Sequence, residues 1–238
     1  MNAMILAAGR GERLRPLTDQ IPKPMVRVQG RPVIVHTLLR LAHLGITRIV
    51  INACHLADKL IEYVGDGSPW GVQVTWSREA CCLDTGGGVV NALHHMGDAP
   101  FLVVNGDILW NCDLRPMLAY FDPARMDGVL GMVASPAGEG GDFLCDPSSG
   151  QLQRAKADPN SLTYAGILVV APAALRHYPL APFSLNRFFD DALLAGRLRG
   201  FPLRGQWADM GTPERLAKTA QMDWISDDLC VYNTAGGG

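Results

Sequence analysis

The segment that most constrains this chain is its start, where an apolar run breaks into two glycines and several basic residues. Residues 4–8 are apolar without any periodicity, which is typical of a buried strand. Gly9 and Gly11 permit a positive φ and let a ligand lie against bare N–H groups. The basic residues that follow are Arg10, Arg13, Arg15 and Lys23. Backbone donors beside guanidinium groups form an anion site, so we expect a polyphosphate there.

Two better-known glycine loops do not fit this segment. A P-loop needs Gly-x-x-x-x-Gly-Lys-Ser/Thr, and no Lys-Ser/Thr pair follows Gly9 or Gly11 at that spacing. The dinucleotide fingerprint needs a third glycine, and Leu14 stands in its place. Taken alone, the two glycines are consistent both with a phosphate site and with a plain strand-to-loop turn.

The longer string around these glycines carries a more specific signal. Leu6-Ala7-Ala8-Gly9-x-Gly11-x-Arg13-Leu14-x-Pro16-Leu17-Thr18, followed by Pro22-Lys23-Pro24-Met25, resembles the N-terminal signature of the sugar-1-phosphate nucleotidyltransferases. The resemblance implies that Arg13 holds the outer phosphates of a triphosphate and that Lys23 meets the reacting phosphates. Two prolines would stiffen the backbone around Lys23. The nucleotide-binding residues that it implies here are Ala8, Gly9, Gly11, Glu12, Arg13 and Lys23.

A second glycine-rich segment, residues 79–88, precedes a helical pattern over residues 89–95. We predict a bare loop at a helix start, forming a wall of the same nucleotide site, although a simple flexible connection has the same composition. In the family, an element at this place holds the base and ribose. This version resembles that of the uridylyltransferases acting on N-acetylmuramate 1-phosphate. The residues that inherit this role are Glu79, Thr85, Gly86 and Gly87.

Two aspartates are candidate metal ligands. Asp107 follows a buried strand over residues 101–104, and ligands bind at the carboxyl ends of parallel strands. It resembles the metal-binding aspartate of the family, with Asn105 placed to touch the sugar or the metal shell. Asp209 lies in Trp207-Ala208-Asp209-Met210-Gly211-Thr212-Pro213, which resembles the second metal element of the family. Thr212 also fits a helix cap before Pro213, which is independent of the role of Asp209.

The region from residue 128 to residue 171 changes to short strands separated by turns. Its Gly-Asp-Phe and Tyr-x-Gly-Ile elements resemble the parts of the family that face the sugar. The implied sugar-binding residues are Asn105, Gly141, Asp142, Tyr164 and Gly166. Many relatives carry Glu-Lys-Pro between these elements, whereas this chain has Ala155-Lys156-Ala157. The glutamate that binds a sugar hydroxyl in those relatives is therefore missing here.

The order of elements predicts an α/β fold. Strand and helix patterns alternate over residues 33–77, which favours a mostly parallel sheet covered on both faces. Further helices are predicted over residues 184–194 and from residue 213 to about residue 222. We expect a Rossmann-like nucleotidyltransferase domain over residues 1–222, with a mostly parallel mixed sheet and a small sugar-binding subregion. Residues 223–238 are expected to form a loose tail.

Composition excludes several other classes. The net charge of −2 gives no basic field for nucleic acid. The six cysteines show no metal or disulfide spacing, and no His-Glu-x-x-His motif supports a zinc enzyme. The apolar start is too short for a signal peptide, and no apolar run reaches membrane-spanning length. We therefore expect a cytoplasmic protein with small-molecule partners and no membrane association.

The resemblance implies that a nucleoside triphosphate and a sugar 1-phosphate give a nucleotide sugar and pyrophosphate. Lys23, Arg13 and Asp107 are the implied catalytic residues, and Asp107 and Asp209 the implied Mg²⁺ ligands. The expected substrates are UTP and N-acetylmuramate 1-phosphate, in the recycling of peptidoglycan sugar. The lactyl carboxylate of that sugar calls for a cation, for which Arg154, Lys156 and Arg187 are the candidates. A mannose-1-phosphate guanylyltransferase, a glucose-1-phosphate thymidylyl- or uridylyltransferase and a non-catalytic nucleotide-sugar sensor remain alternatives.

Overall fold

The computed structural model describes residues 1–135, 140–155 and 158–224. The helices in these ranges are α1 (Val33–His43), α2 (Ala57–Val64), α3 (Asp84–Met96), α4 (Arg115–Tyr120), α5 (Leu185–Leu194) and α6 (Pro213–Ala220). The strands are β1 (Ala3–Leu6), β2 (Arg27–Val28), β3 (Arg31–Pro32), β4 (Arg48–Ala53), β5 (Gln73–Arg78), β6 (Phe101–Asn105), β7 (Ile108–Trp110), β8 (Gly128–Ala134), β9 (Phe143–Cys145), β10 (Leu152–Arg154), β11 (Leu162–Val170), β12 (Leu198–Pro202) and β13 (Trp207–Asp209).

Nine of these strands form the central sheet. The neighbours β5, β4, β1 and β6 are all parallel, as the alternating strands and helices of the first hundred residues predict. The next strand, β11, runs antiparallel to both β6 and β8, and β8 pairs in parallel with β12. The prediction of an α/β fold with a mostly parallel mixed sheet is confirmed.

Helices cover both faces of the sheet because successive side chains of each strand point to opposite faces. On one face, Ile5 and Val104 belong to a core cluster shared with α1, α2 and α4. On the other, Met4 and Val103 pack in a cluster shared with α3 and α5. The unbroken apolar runs of the sequence are therefore strands buried on both sides.

The strand register brings the carboxyl ends of three parallel strands to one level. Leu6, the last residue of β1, pairs with Asn52 of β4 and with Asn105, the last residue of β6. Strand β11 changes register between Tyr164 and Leu168, and Gly166 has a φ of +72° within that irregularity. Such a bulge bends a strand, and beyond it Leu162 pairs with β9 instead of β6. The sheet thus leaves space above the end of β6.

A two-stranded ribbon of β7 and β13 joins segments about one hundred residues apart. Trp207 at its end donates from Nε1 to the carbonyl oxygen of Ala165, 2.8 Å away, which ties the ribbon to β11. The tail predicted from residue 223 begins with a packed residue, since Trp224 is buried and its indole N–H donates to Thr219. The remainder of that tail, residues 225–238, lies outside the described residues. No helix in the described ranges is long and apolar enough to cross a bilayer.

Candidate active site

A cavity of about 790 Å³ lies where the carboxyl ends of β1, β4 and β6 meet. This is the edge at which open α/β sheets bind their ligands. The predicted site residues that line it are Ala8, Gly9, Gly11, Glu12, Arg13, Lys23, Glu79, Thr85, Asn105 and Asp107. The structure therefore brings most of the predicted nucleotide-binding residues to one cavity.

The loop after β1 is stabilised by hydrogen bonds to the carbonyl oxygen of Gly11. Gly11 has a φ of +65°, and its carbonyl oxygen accepts hydrogen bonds from the Leu14 amide and the Thr18 hydroxyl, both 2.8 Å away. A Cβ at Gly11 would lie 2.8 Å from the methyl group of Thr18, so only glycine fits. Gly9 differs from the expectation, because it has no positive φ; a Cβ there would meet open space. Gly11 makes the turn, and Gly9 leaves the backbone bare beside the cavity.

Two arginines of this loop line the cavity. Within the described ranges no carboxylate forms an ion pair with Arg10 or Arg13, although both residues line the cavity. Arg15, expected in the same basic group, instead pairs with Asp19 at 3.1 Å and is not a lining residue. Two unpaired guanidinium groups beside bare backbone suit a polyphosphate.

Lys23 and Asp107 form an ion pair on the cavity wall. Their side chains are only 12% and 27% exposed, so the pair is poorly screened by water. Lys23 opens a short 3-10 turn between Pro22 and Pro24, whose fixed φ values restrict the backbone that carries it. The ammonium group is thus held in place, as the sequence predicts from the two prolines.

Asp209 lies beside Asp107 through the β7–β13 ribbon. Asp209 pairs with Ile108, the residue after Asp107, and the Met210 amide donates to the Asp107 carbonyl oxygen at 3.0 Å. The Asp209 side chain is 19% exposed and forms an ion pair with Arg215. It is not itself a lining residue, but Gly211 lines the cavity, and a Cβ added there would lie 2.8 Å from Asp209 Oδ1 and 3.0 Å from Arg13 Nη2.

These two carboxylates have the chemistry of a Mg²⁺ site. Mg²⁺ is bound through one or two carboxylates, with phosphate oxygens and water supplying the other ligands. Outside the undescribed segments no group of three or more His, Cys, Asp or Glu side chains gathers, so a closed all-protein cage is absent there. Asp107 and Asp209 at neighbouring register positions beside a phosphate-type loop fit the ion.

The second glycine segment differs from the prediction. Gly86 and Gly87 lie inside α3, which starts at Asp84, rather than in a loop before a helix at residue 89. Their amides both donate to the carbonyl oxygen of Phe183, and neither residue lines the cavity. A Cβ on Gly86 would lie 2.3 Å from the Phe183 ring, and one on Gly87 2.3 Å from the Ala181 carbonyl oxygen. Close packing explains these glycines, because the helix start touches the chain before α5.

Asn52 is a site residue that the sequence reading missed. Its Oδ1 accepts from the Ala7 amide at 2.7 Å, and its Nδ2 donates to Glu79 Oε1 at 2.7 Å. Glu79 Oε2 in turn accepts from the Leu83 amide at 2.9 Å. This buried bridge joins the first loop to the segment before α3, and Glu79 acts in it as a brace. The available signal was an asparagine ending a buried strand over residues 48–52.

A smaller cavity of about 230 Å³ adjoins the first one, and Asp84, Thr85 and Asn105 line both. Asp142 and Tyr164, two of the predicted sugar residues, line the smaller cavity. Asp142 Oδ2 accepts from the Tyr164 amide at 2.9 Å, and the Tyr164 hydroxyl is buried without a partner among the described residues. Burial and the nearby Asp142 raise the pKa of that hydroxyl, so it stays protonated at neutral pH.

The two predicted sugar-site glycines, Gly141 and Gly166, are packed closely against other protein atoms. A Cβ on Gly166 would lie 2.8 Å from the Asn105 amide, and one on Gly141 2.4 Å from the Ser135 hydroxyl. The Gly141 amide donates to Ser161, so it is already occupied by the protein. Neither glycine is a lining residue of either cavity.

The three candidate cations for a sugar carboxylate fall in different places. Arg154 lines the smaller cavity. Arg187 lies over the rings of Tyr178 and Phe183 and is not a lining residue. Lys156 lies outside the described residues. Arg154 is therefore the described candidate that faces the predicted sugar site.

Comparison with known proteins agrees with this geometry. The sequence profile described as Nucleotidyl transferase matches residues 2–140. The N-acetylmuramate alpha-1-phosphate uridylyltransferase of Neisseria meningitidis serogroup B is 39% identical over 226 residues, covering 93% of this chain and 97% of that protein. The mannose-1-phosphate guanylyltransferase of Mycobacterium tuberculosis is 32% identical over 90% of this chain and 62% of its own length.

A solved structure shares the whole architecture. HddC from Yersinia pseudotuberculosis, determined as a complex with GMP-PN, is 25% identical and superposes with a TM-score of 0.77. The alignment covers 92% of this chain and 98% of that one. The motif over residues 6–25 indicates the same family as three comparisons. These are the shared fold, the profile that matches more than half of the sequence, and the relative that is matched along nearly its full length. This chain belongs to the nucleotidyl transferase family.

Proposed function

We propose that the protein transfers a uridylyl group from UTP to N-acetylmuramate 1-phosphate, releasing pyrophosphate. The observation that carries the proposal is the pair of adjoining cavities. The larger is lined by bare backbone and by two arginines without a carboxylate partner among the described residues, which suit a triphosphate, and the smaller is polar and sugar-sized. The names of the uridylyltransferase relatives supply the substrate pair. We further propose a cytoplasmic role in the recycling of peptidoglycan sugar.

The reaction needs no nucleophile from the protein. An oxygen of the sugar phosphate attacks the α-phosphorus of UTP, one P–O bond forms, and the bond to the pyrophosphate oxygen breaks. The residues of the chain then have two tasks, which are to align the two phosphates and to neutralise the charge that grows on the leaving pyrophosphate.

Lys23 is the residue that we assign to the reacting phosphates. Its ammonium group is fixed by Asp107 and by a backbone between two prolines, so little reorganisation is needed when charge develops. Because the charge on the phosphate oxygens is greatest in the transition state, Lys23 contributes mainly to kcat.

Arg13 and Arg10 are assigned to the outer phosphates. Both line the larger cavity, and neither is neutralised by a carboxylate in the described ranges. Apart from the oxygen that leaves the α-phosphorus, these phosphates carry similar charge before and during the reaction. Their cations therefore contribute mainly to binding and to KM.

Asp107 and Asp209 are the residues that would hold Mg²⁺. When bound, the ion supplies positive charge to phosphate oxygens that the two carboxylates alone would repel. Lys23 and Arg215 pair with these carboxylates in the protein itself, which fixes both side chains beside the cavity.

The loops and metal ligands do not separate uridylyl transfer from guanylyl transfer to mannose 1-phosphate or from thymidylyl transfer to glucose 1-phosphate. A non-catalytic sensor of nucleotide sugars is a different class. We expect a sensor to have lost Lys23, Asp107 or Asp209, and all three are present.

Pyrophosphate release should be measured over a matrix of UTP, GTP and dTTP with the 1-phosphates of N-acetylmuramate, N-acetylglucosamine, glucose and mannose. We expect the highest kcat/KM for UTP with N-acetylmuramate 1-phosphate. Lys23→Ala is the matched inactive control for contaminating activity. A clear preference for GTP with mannose 1-phosphate would remove the uridylyl assignment. Absence of release with every pair at saturating Mg²⁺ would favour the sensor.

A further inference from the structure

We propose that Arg154 is a specificity-determining residue whose guanidinium group binds a carboxylate on the sugar substrate. This inference rests on the proposed function and names the group that selects the muramyl sugar. Arg154 is the only Lys or Arg among the described residues that line the smaller cavity. Asp84 and Asp142 line the same cavity, so Arg154 is the described charged residue there that attracts a substrate carboxylate.

The guanidinium group of Arg154 is oriented before any ligand arrives. Nε donates to Asp190 Oδ1 at 2.9 Å, and Nη2 donates to Asn186 Oδ1 at 2.9 Å. The planar group also stacks over the Phe143 ring, with 4.5 Å from Cζ to the ring centre. Three contacts from β9 and α5 therefore fix both its position and its plane.

One nitrogen of this group, Nη1, keeps its donors available to a ligand. Nη1 has no hydrogen-bond acceptor in the part of the chain that the structure describes. A fixed guanidinium nitrogen with free N–H groups suits a carboxylate, because a hydrogen bond between two charged groups is stronger than one between neutral groups. Asp190 takes up part of the positive charge, but its own side chain is more than half exposed, so water screens that pair.

Other residues that line the cavity suit hydroxyl groups. Asp142 keeps one carboxylate oxygen free of the Tyr164 amide, and the buried Tyr164 hydroxyl lacks a partner among the described residues. Carboxylate oxygens accept from sugar hydroxyls, and a tyrosine hydroxyl both donates and accepts. A hexose with hydroxyl groups toward Asp142 and an acidic ether substituent toward Arg154 fits this distribution of groups.

A purely structural role for Arg154, joining β10 to α5, predicts a different result in one experiment. The test compares kcat/KM for N-acetylmuramate 1-phosphate and N-acetylglucosamine 1-phosphate, which differ only in the lactyl ether. The enzymes are the wild type, Arg154→Gln and the matched control Arg187→Gln, whose arginine lies away from the cavity. If the second sugar is turned over too slowly, its inhibition constant against the first replaces kcat/KM. Both sugars carry the same phosphate, so the ratio isolates the carboxylate.

We expect Arg154→Gln to lower kcat/KM for N-acetylmuramate 1-phosphate on the order of 10- to 100-fold. The kcat/KM for N-acetylglucosamine 1-phosphate should change less than about threefold. Arg187→Gln should leave the ratio unchanged. Equal losses on both sugars, or no loss, would overturn the inference. If Arg154→Gln does not fold, Arg154→Lys is used, which keeps the charge but loses the planar group that Asp190, Asn186 and Phe143 hold in place; it must still lose selectivity for the carboxylate. A wild-type enzyme inactive on UTP with the muramyl sugar would instead refute the proposed function.

Discussion

Two glycine-rich segments reach the same active-site region, residues 8–13 after β1 and residues 84–88 at the start of α3. A Cβ added at Gly9 would meet open space, whereas one added at Gly87 would lie 2.3 Å from the Ala181 carbonyl oxygen. The backbone of the first segment faces a cavity, and the backbone of the second is pressed against other protein atoms. The same residue type thus leaves open space beside a cavity in one segment and permits close packing in the other.

The difference also appears in the hydrogen bonds of the two segments. The Gly86 and Gly87 amides both donate to Phe183, so the usual anion-binding N–H groups of a helix start are occupied. Beside the first segment, Arg10 and Arg13 have no carboxylate partner among the described residues. We infer that the phosphates belong to the first segment and that the second shapes the wall behind them.

The largest effect should come from the carboxylates beside the first segment. Asp107→Asn and Asp209→Asn should each lower kcat on the order of 10³-fold or more, because a metal-bound phosphate loses several kcal/mol of transition-state stabilisation. The melting temperature is measured in parallel to show that the fold persists. Near wild-type turnover at saturating Mg²⁺ would remove the substituted residue from the metal site.

Lys23→Ala should lower kcat by about 10²- to 10³-fold and change the affinity for UTP much less. Its charge is needed most when the α-phosphate reacts, and Asp107 holds it there. Single-turnover and equilibrium-binding measurements separate the two quantities. A variant that loses UTP binding but keeps kcat would show that Lys23 and Arg13 have exchanged roles.

Gly87→Ala should lose stability rather than activity. The added methyl group meets a backbone carbonyl that cannot rotate away, which costs about 2–3 kcal/mol. That loss corresponds to a fall in melting temperature of roughly 4–12 °C for a domain of this size. The kcat/KM of the folded protein should stay within about threefold. Unchanged stability with lost nucleotide binding would place the second segment in the phosphate site.

Arg13→Ala should raise the KM for UTP by about 10- to 100-fold with little change in kcat, since the outer phosphates are bound alike before and during the reaction. Arg15→Ala is the matched control, because Arg15 pairs with Asp19 away from the cavity. Equal effects of the two substitutions would indicate a general electrostatic contribution of the loop.

Much of the fold follows from local sequence patterns. Apolar runs such as residues 48–52 and 101–104 predict buried parallel strands, and Ser184 and Thr212 both cap helices as expected, through bonds to Asn186 and Arg215. The residues that line the larger cavity near β1 also follow from the local pattern of a buried strand that ends in glycines and arginines, and their role as an anion site stays a prediction.

Features that depend on distant segments could not be predicted in this way. The prediction of a loop before a helix at residue 89 is wrong, because α3 already starts at Asp84. Three glycines normally indicate a loop, and the packing of Phe183 and Ala181 explains them within a helix. The ion pair of Asp209 with Arg215 and the bridge of Asn52 need the folded arrangement. Choosing Arg154 over Arg187 required knowing which side chain faces the smaller cavity.

The most direct test of the central claim is the dissociation constant of UTP for Gly9→Ala, measured by titration calorimetry beside the wild type and Gly87→Ala. Gly9 borders the cavity, and its added methyl group would occupy open space where we place the phosphates. We predict about tenfold weaker UTP binding with a melting temperature within about 2 °C of the wild type. Gly87→Ala should instead bind UTP as the wild type does and have a lower melting temperature. Unchanged UTP affinity in Gly9→Ala, together with lost affinity in Gly87→Ala, would contradict the assignment of the phosphates to the first segment.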